Sequence, residues 1–392
     1  MKFYGERFRR MNRIFVPLAS TSLFLFQAGC TAFEQNPTRG FGETSSKAEV
    51  IAVRDIGPLR FLKVIRGRDG GYSARFGDRS VWVFGDTILG SPGEDGSQWR
   101  SSTWCWTQDF DAGDGIDSFD EPVDGKGAPA EFLPFTKEEL AYNEAYNRQD
   151  IPEDRRCRWA LWPGPVAVGP EAKKAYVFYS KILAKPGEFN FEGMGVSIAV
   201  WDAQDNSVIR PRVNPTVDDA TILFPKGDAV LGQGTMVVGD RLYVYGCETK
   251  EMSWPCVVAR VKFVDALKRE AWQFFAGNGR WSKDWRQAVS VMEAAPILTV
   301  NWNEHLGKYL AVYSNPFANN ISIRTAKQPE GPWSASQVVV SCTPPTNEKA
   351  WAYCGMAHPE FARDNGRIEY FTYYRETRFF MGEMRLVEVT FK

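Results

Sequence analysis

The hydrophobic and polar positions of this chain repeat one local pattern, which is clearest in residues 68–89. Two apolar runs rich in Tyr, Val, Trp and Phe are joined there by the polar turn Gly-Asp-Arg at residues 77–79. Apolar strands joined by a tight turn predict a β-hairpin. Because antiparallel strands reverse direction, we expect the two ends of this hairpin, which carry Asp69 and Asp86, to meet at one edge of a sheet.

Four later segments repeat the hairpin pattern, at residues 162–183, 232–247, 293–314 and 358–374. The sequence VVGDRLYVYG in the second of these closely echoes RFGDRSVWVFG in the first hairpin. Further strand-like runs lie between the copies, so each unit holds about four strands, as propeller blades do. Radial packing buries both faces of such sheets, and the units therefore predict an all-β fold, a five-bladed β-propeller. A β-sandwich, the alternative, does not account for the similar hairpins.

Two further strand candidates, residues 49–56 and 384–391, flank the repeats at their two ends. We expect them to complete one blade together and so to close the ring. The propeller domain then spans residues 48–392 and carries one long insertion, residues 91–158.

The first 30 residues have the composition of an export signal. Basic residues precede an apolar core at residues 14–26, and small residues precede Cys30. This resembles a bacterial lipoprotein signal with lipid attached at Cys30, although Gln27 departs from the usual pattern and a plain secretory signal is the alternative. Residues 31–47 are polar and predict a flexible tether. We expect an exported protein anchored by lipid to the outer membrane or cell surface, or else a secreted or periplasmic one.

The overall charge excludes one class of partner. Lys and Arg number 47 against 48 for Asp and Glu, so the net charge of -1 offers no attraction to nucleic acid. Aromatic residues make up 14% of the chain, with 14 Trp. Such a composition is typical of β cores and of surfaces that stack on sugar rings, so a polysaccharide is the expected partner. We expect the protein to be a monomer.

Six cysteines remain beyond Cys30, and an even number in an exported chain predicts disulfides. Short loops favour two pairings and leave a third by elimination: Cys247 with Cys256, Cys342 with Cys354, and Cys105 with Cys157. Buried free thiols are the alternative. No His and Cys spacing indicates a metal site.

In a propeller the first strands of the blades line the central axis, so equivalent positions at their starts converge on one pocket. Aligning the hairpins gives these positions: Asp69, Trp162, Gln233, Glu293 and His358. Asp86, at the end of the second strand of the first hairpin, joins the same mouth. Hydrolysis of a glycosidic bond needs two carboxyl groups, and the pocket offers three. Aspartates that cap turns are the alternative reading.

The remaining pocket residues suit substrate binding. Trp162 can stack on a sugar ring, and Gln233 and Arg158 can contact hydroxyl groups. His358 could hold an axial ion or a substrate hydroxyl, and its alternative role is that of a hydrogen-bonded structural histidine. No cofactor is predicted beyond that ion.

The first hairpin also carries a family resemblance. Its Asp-x-Gly at Asp69 and the segment Phe-Gly-Asp-Thr at residues 84–87 resemble the bacterial domain of unknown function family 4185. Part of that family resembles the endo-D-arabinanases of glycoside hydrolase family 183. The layout is similar to five-bladed arabinanases, xylosidases and fructosidases, and residues 329–333 resemble their recurring GPW segment.

The resemblance implies roles for three carboxyl groups. Asp69 matches the general base, Asp86 is the first candidate for the general acid and Glu293 the second. The resulting hypothesis is an exported glycoside hydrolase that acts on a furanose-containing polysaccharide, as an endo-D-arabinanase with an inverting mechanism. The alternative is a non-catalytic propeller that binds carbohydrate or serves as a surface scaffold.

Overall fold

The computed structural model describes residues 47–146, 152, 155–187, 190–215, 219–347, 350–378 and 381–392. The predicted signal, with Cys30, and all but the last residue of the predicted tether lie outside the described residues. No helix in the described ranges is long and apolar enough to cross a membrane.

The described chain consists mainly of β-strands. In chain order they are β1 (Val50–Pro58), β2 (Ile65–Phe76), β3 (Arg79–Leu89), β4 (Trp99–Arg100), β5 (Thr103–Thr107), β6 (Arg158–Val168), β7 (Lys174–Ala184), β8 (Phe191–Asp202), β9 (Val208–Ile209), β10 (Phe224–Pro225), β11 (Gly234–Val238), β12 (Arg241–Cys247), β13 (Pro255–Lys262), β14 (Gln273–Phe275), β15 (Trp281–Ser282), β16 (Met292–Glu293), β17 (Leu298–Asn303), β18 (Lys308–Ser314), β19 (Asn320–Ala326), β20 (Gln337–Ser341), β21 (Tyr353–Ala357), β22 (Ile368–Arg378) and β23 (Met381–Phe391). Within the described residues, one α-helix, α1 (Lys137–Tyr146), and several short 3₁₀ turns accompany them.

The strands form five antiparallel sheets arranged as a five-bladed β-propeller, which confirms the predicted fold. The innermost strands of successive blades are β2, β6, β11, β17 and β21. Each of them contacts the innermost strands of the two neighbouring blades, and β21 contacts β2 to complete the circle. The starts of these five strands therefore surround one end of the central axis.

The ring closes through hydrogen bonds between the two ends of the described chain. Strand β1 pairs antiparallel with β23, with Val53 opposite Val389, and so becomes the outermost strand of the fifth blade. The predicted closure is confirmed. The other three strands of the fifth blade, β21, β22 and β23, are the last three strands of the chain. The pairing of β1 with β23 therefore joins the first described strand to the last one.

The insertion at residues 91–158 is partly a component of the first blade. Its strands β4 and β5 both pair with β3, so they supply the outer part of that sheet. Its helix α1 begins with a capping box: the Thr136 N–H donates to Glu139 Oε2 (2.9 Å), and the Glu139 N–H donates to Thr136 Oγ1 (3.2 Å). The part of the insertion that forms β4 and β5 is thus paired into the first blade.

One predicted disulfide forms, between Cys247 and Cys256, which lie opposite each other on β12 and β13. The other two predicted pairs are wrong, because all four thiols are free. Their side chains lie in separate places: Cys105, Cys342 and Cys354 pack into three different hydrophobic clusters, and Cys157 lies in a partly exposed loop. The sequence separation of two cysteines gave no information about these clusters.

A buried carboxyl group predicts how stability responds to pH. Glu369, in β22, is 1% exposed, accepts a hydrogen bond from Asn303 Nδ2 (2.7 Å), and burial raises its pKa to about 7. Because the folded state favours the protonated acid, its stabilising contribution is complete below the ordinary pKa of 4.5 and is lost as pH rises through about 7.

Between pH 5 and pH 8 we therefore expect the stability of Glu369→Gln to fall by about 2–3 kcal/mol less than that of the wild type. Glutamine keeps the acceptor oxygen for Asn303 and carries no ionisable proton. Urea unfolding of both proteins at several pH values measures the difference. Parallel stability curves for the two proteins would contradict the assignment.

Candidate active site

The first hairpin is irregular at the place where its two aspartates lie. Arg68 pairs with Thr87, but Gly70 pairs with Phe84, so one residue of β2 faces two residues of β3. Asp69 is that residue. This β-bulge is one of three register shifts between β2 and β3. It sets Asp69 opposite Gly85 and Asp86 and changes the direction of their side chains.

Glycine is required at two positions of this bulge. Gly70 has a φ of +85°, in the left-handed region. A Cβ atom at Gly85 would lie 2.7 Å from Asp69 Oδ1, so the missing side chain leaves the space that the Asp69 carboxylate occupies. The carboxylate therefore lies directly against the backbone of β3.

Asp69 faces a cavity of about 60 Å³ at the start of the innermost strands. The first four blades all contribute to its wall. The lining includes Asp69, Tyr72, Gly85, Trp162, Pro163, Ser180, Gly232, Gln233 and Pro296. The structure thus brings together Asp69, Trp162 and Gln233, as the hairpin alignment predicts.

Asp86 lies beside this cavity and is 5% exposed. Its Oδ1 atom accepts hydrogen bonds from two indoles, Trp99 Nε1 (2.9 Å) and Trp162 Nε1 (3.1 Å). Burial raises the pKa of Asp86 well above its usual range, and the nearby charge of Asp69 raises it further. The two indole N–H groups and the Arg158 charge oppose this shift without reversing it. Burial therefore favours the protonated, neutral form of Asp86.

Arg158 belongs to the same site through Trp99. Its guanidinium carbon lies 3.6 Å from the centre of the Trp99 ring, a cation–π contact. Trp99 is in turn supplied by the insertion, on the two-residue strand β4. Sequence reasoning missed Trp99, because a strand this short has no period that would mark which way its side chain points.

Gln233 and Tyr72 are joined at the cavity wall. The Tyr72 hydroxyl donates to the Gln233 carbonyl oxygen (2.7 Å), and the backbone N–H of Cys247 donates to the Gln233 side-chain oxygen. Gln233 is consequently held by the first blade and by the strand that carries the disulfide. Its position is fixed before any ligand arrives.

Asp69 is half-buried and has a partner from the fifth blade. The hydroxyl of Tyr353, the first residue of β21, donates to Asp69 Oδ2 (3.4 Å). Sequence reasoning missed Tyr353, because the alignment began the fifth innermost strand at His358. The apolar run from Tyr353 to Ala357 was the available signal.

The predicted place of Glu293 is wrong. This residue is exposed, belongs to the short strand β16, and pairs with Pro255 of the third blade. The innermost strand of the fourth blade starts later, at Leu298, and Pro296 contributes to the cavity instead. Glu293 is therefore not a wall residue of the candidate site.

The predicted place of His358 is also wrong, because it follows the end of β21 and is fully buried. Its Nδ1 shares a hydrogen bond with Ser73 Oγ (2.6 Å) and its Nε2 with Thr372 Oγ1 (2.7 Å), and its ring stacks on Trp82 at 4.2 Å. Burial lowers the pKa of His358 to about 3, so the ring is neutral. It is the hydrogen-bonded structural histidine that the sequence left as the alternative.

These contacts also decide whether an ion fits at His358. Both ring nitrogens already bind side-chain hydroxyls, so neither points a free lone pair at the axis. Among the residues that the structure describes, no group of three or more His, Cys, Asp or Glu side chains is arranged to bind a metal. The residues around His358 do not fit an axial ion.

Comparison with known families identifies the chain more closely than the hairpin motif does. The model of the family described as domain of unknown function, DUF5005, matches residues 60–369, which is most of the chain. The chain belongs to the DUF5005 family. Membership of family 4185, which the hairpin motif resembles, is not shown. A search of curated proteins finds no match.

Several solved structures are similar to this chain. A Bacteroides ovatus protein provisionally assigned as a hydrolase is 13% identical, with a TM-score of 0.55 over 84% of this chain and 86% of its own. A Xanthomonas citri GH43_1 enzyme complexed with xylotriose is 12% identical, with a TM-score of 0.47 over 85% and 89%. An endo-1,5-α-L-arabinanase from Thermotoga petrophila is 12% identical, with a TM-score of 0.43 over 85% and 72%. The first of these likenesses supports the fold.

The close contact at Gly85 predicts the outcome of a cavity-wall substitution. Gly85→Ala places a methyl group on the Asp69 carboxylate, and we expect the displaced side chain to cost about 1–3 kcal/mol of stability. In an Asp69→Ala background the same substitution should cost far less, since the clashing atom is gone. Urea unfolding of the four proteins forms a double-mutant cycle. An equal cost in both backgrounds would contradict the contact.

Proposed function

We propose that this chain is a glycoside hydrolase in which Asp86 is the general acid and Asp69 the general base. One observation carries the proposal: a single hairpin presents a buried carboxyl group, whose pKa burial raises, and beside it a carboxyl group that faces the cavity. Paired carboxyl groups in contrasting environments are the equipment for acid and base roles at one bond.

The chemistry follows from these positions. Asp86 donates its proton to the oxygen of the leaving sugar, which needs an acid that is still protonated at working pH. Asp69 takes a proton from a water molecule that attacks the anomeric carbon. The cavity of about 60 Å³ beside Asp69 is large enough for about two water molecules. We propose an inverting reaction, with the attacking water held in this cavity beside Asp69.

The substrate we propose is a furanose-containing polysaccharide, with D-arabinan as the specific candidate. Its support is the resemblance of the first hairpin to arabinanase-like sequences. Trp162 would stack on a sugar ring, and Gln233 and Arg158 would contact its hydroxyl groups. The composition of residues 1–30 supports the further proposal that the enzyme is exported and anchored by lipid at Cys30.

A second candidate function is a propeller that binds carbohydrate without cleaving it. The observation in its favour is that Asp86 is 5% exposed and has the Trp162 indole between it and the cavity. For catalysis this indole must leave a path for the leaving oxygen. A binding protein would need no such path.

Two substitutions separate these candidates. Asp69→Asn should lower release of reducing ends from arabinan, arabinogalactan or fructan by at least about 100-fold, because the base is removed. Asp86→Asn should be as damaging on polysaccharide, but should retain much more activity on an aryl arabinofuranoside, whose leaving group needs no proton. Glu293→Gln, a change outside the cavity, is the matched control and should behave as wild type.

The anomer of the first product, followed by proton NMR, tests inversion in the same experiment. If wild type binds one of these polysaccharides and neither wild type nor the variants release product, the binding function is correct. Wild-type activity in Asp69→Asn would exclude the proposed base.

A further inference from the structure

Tyr353 contacts Asp69, the candidate base, across the boundary between the fifth and first blades. It begins the innermost strand of the fifth blade, while Asp69 lies on the innermost strand of the first. Its hydroxyl donates to Asp69 Oδ2 at 3.4 Å. Its ring packs edge-on against Tyr374, with centroids 5.2 Å apart, so the side chain is held from behind.

The Asp69 carboxylate is thus contacted on both oxygen atoms. The Gly85 backbone lies against Oδ1, and the Tyr353 hydroxyl approaches Oδ2. A carboxylate held in this way keeps one orientation toward the cavity, which a base needs if it is to meet an attacking water. Hydrogen bonds at catalytic groups are often long before substrate binds, and 3.4 Å suits that state.

The hydrogen bond also has an electrostatic effect. A neutral phenol that donates to a carboxylate stabilises the ionised form of that carboxylate. Burial raises the pKa of Tyr353 well above its usual range, and the charge of Asp69 raises it further, so the donor keeps its proton across the working pH range. Tyr353 therefore always acts as donor and Asp69 as acceptor.

This effect bears on the pair as a whole. When two carboxyl groups interact closely, they compete for one proton, and the environment decides which group holds it. Burial favours the proton on Asp86. The hydrogen bond that the Tyr353 hydroxyl donates to Asp69 disfavours a proton on Asp69. Both surroundings therefore favour the same distribution, with the shared proton on Asp86.

We propose that Tyr353 is a positioning residue: its hydroxyl orients the Asp69 carboxylate toward the cavity and stabilises the ionised form of that carboxylate by donating a hydrogen bond to it. Its consequence for catalysis rests on the proposed function, whereas its effect on the ionisation of Asp69 does not. The boundary between the fifth and first blades, where β21 lies next to β2, is therefore part of the candidate site.

The kinetic test is Tyr353→Phe, which removes only the hydroxyl. We expect kcat to fall about tenfold with KM changed less than about twofold, and the acidic limb of the pH profile to move up by about one unit. The control is Tyr313→Phe, which removes a tyrosine hydroxyl bonded to Ser336 in the fourth blade and should change neither quantity. An unshifted profile in Tyr353→Phe would overturn the proposal.

A second measurement needs no substrate. The carboxyl carbons of ¹³C-labelled aspartates are titrated by NMR, and Asp69→Asn assigns the Asp69 signal. We expect the pKa of Asp69 to rise by about one unit in Tyr353→Phe. Incorporation of 3-fluorotyrosine at position 353 strengthens the donor with little change in shape, and should lower the pKa of Asp69. If both replacements leave the Asp69 titration unchanged, Tyr353 has no such role.

Failure of the two proposals can be told apart. If Asp69→Asn is inactive while Tyr353→Phe keeps the wild-type pH profile, the hydrolase function is supported and the role of Tyr353 is excluded. If the Asp69 titration responds to Tyr353 but Asp69→Asn is fully active, the positioning contact is real and the catalytic assignment is wrong.

Discussion

The candidate site depends on the burial of one carboxyl group. Asp86 lies between two indole N–H donors and next to a second carboxyl group, Asp69. In water both groups would ionise at the same low pH, and no division of roles would exist. Burial of Asp86 against Trp99 and Trp162 raises its pKa and so separates the two carboxyl groups, and the two indole N–H groups donate to the oxygen that is buried.

The propeller supplies these surroundings from distant parts of the chain. Asp69 and Asp86 share one hairpin, Trp99 comes from the insertion, Trp162 from the second blade and Tyr353 from the fifth. Only a closed ring brings the first and fifth blades together, and the pairing of β1 with β23 closes it. The arrangement of the site thus depends on the closure of the ring as well as on the local contacts.

The parts of this arrangement that repeat could be predicted from the sequence. Hairpins with a Gly-Asp turn and aromatic strands identify the blades, and their alignment locates Asp69, Trp162 and Gln233 at the cavity. The alignment failed in the fourth and fifth blades. There a segment outside the innermost strand matched the pattern. Glu293 lies five residues before the true strand start at Leu298, and His358 lies five residues after the one at Tyr353.

Other features carry no periodic signal. The β-bulge at Asp69 and the orientation of Trp99 arise from tertiary packing, and the free cysteines are separated by clusters that only the folded chain defines. The protonation of Asp86 likewise depends on burial, which its neighbours in sequence do not determine.

The most direct test of this account is the protonation state of Asp86 at neutral pH. Infrared difference spectroscopy between wild type and Asp86→Asn isolates the signal of that one carboxyl group from other buried acids. The account predicts that wild type shows an extra C=O stretch of a protonated carboxylic acid, which persists well above the ordinary pKa of aspartate. An extra carboxylate band in its place would contradict it.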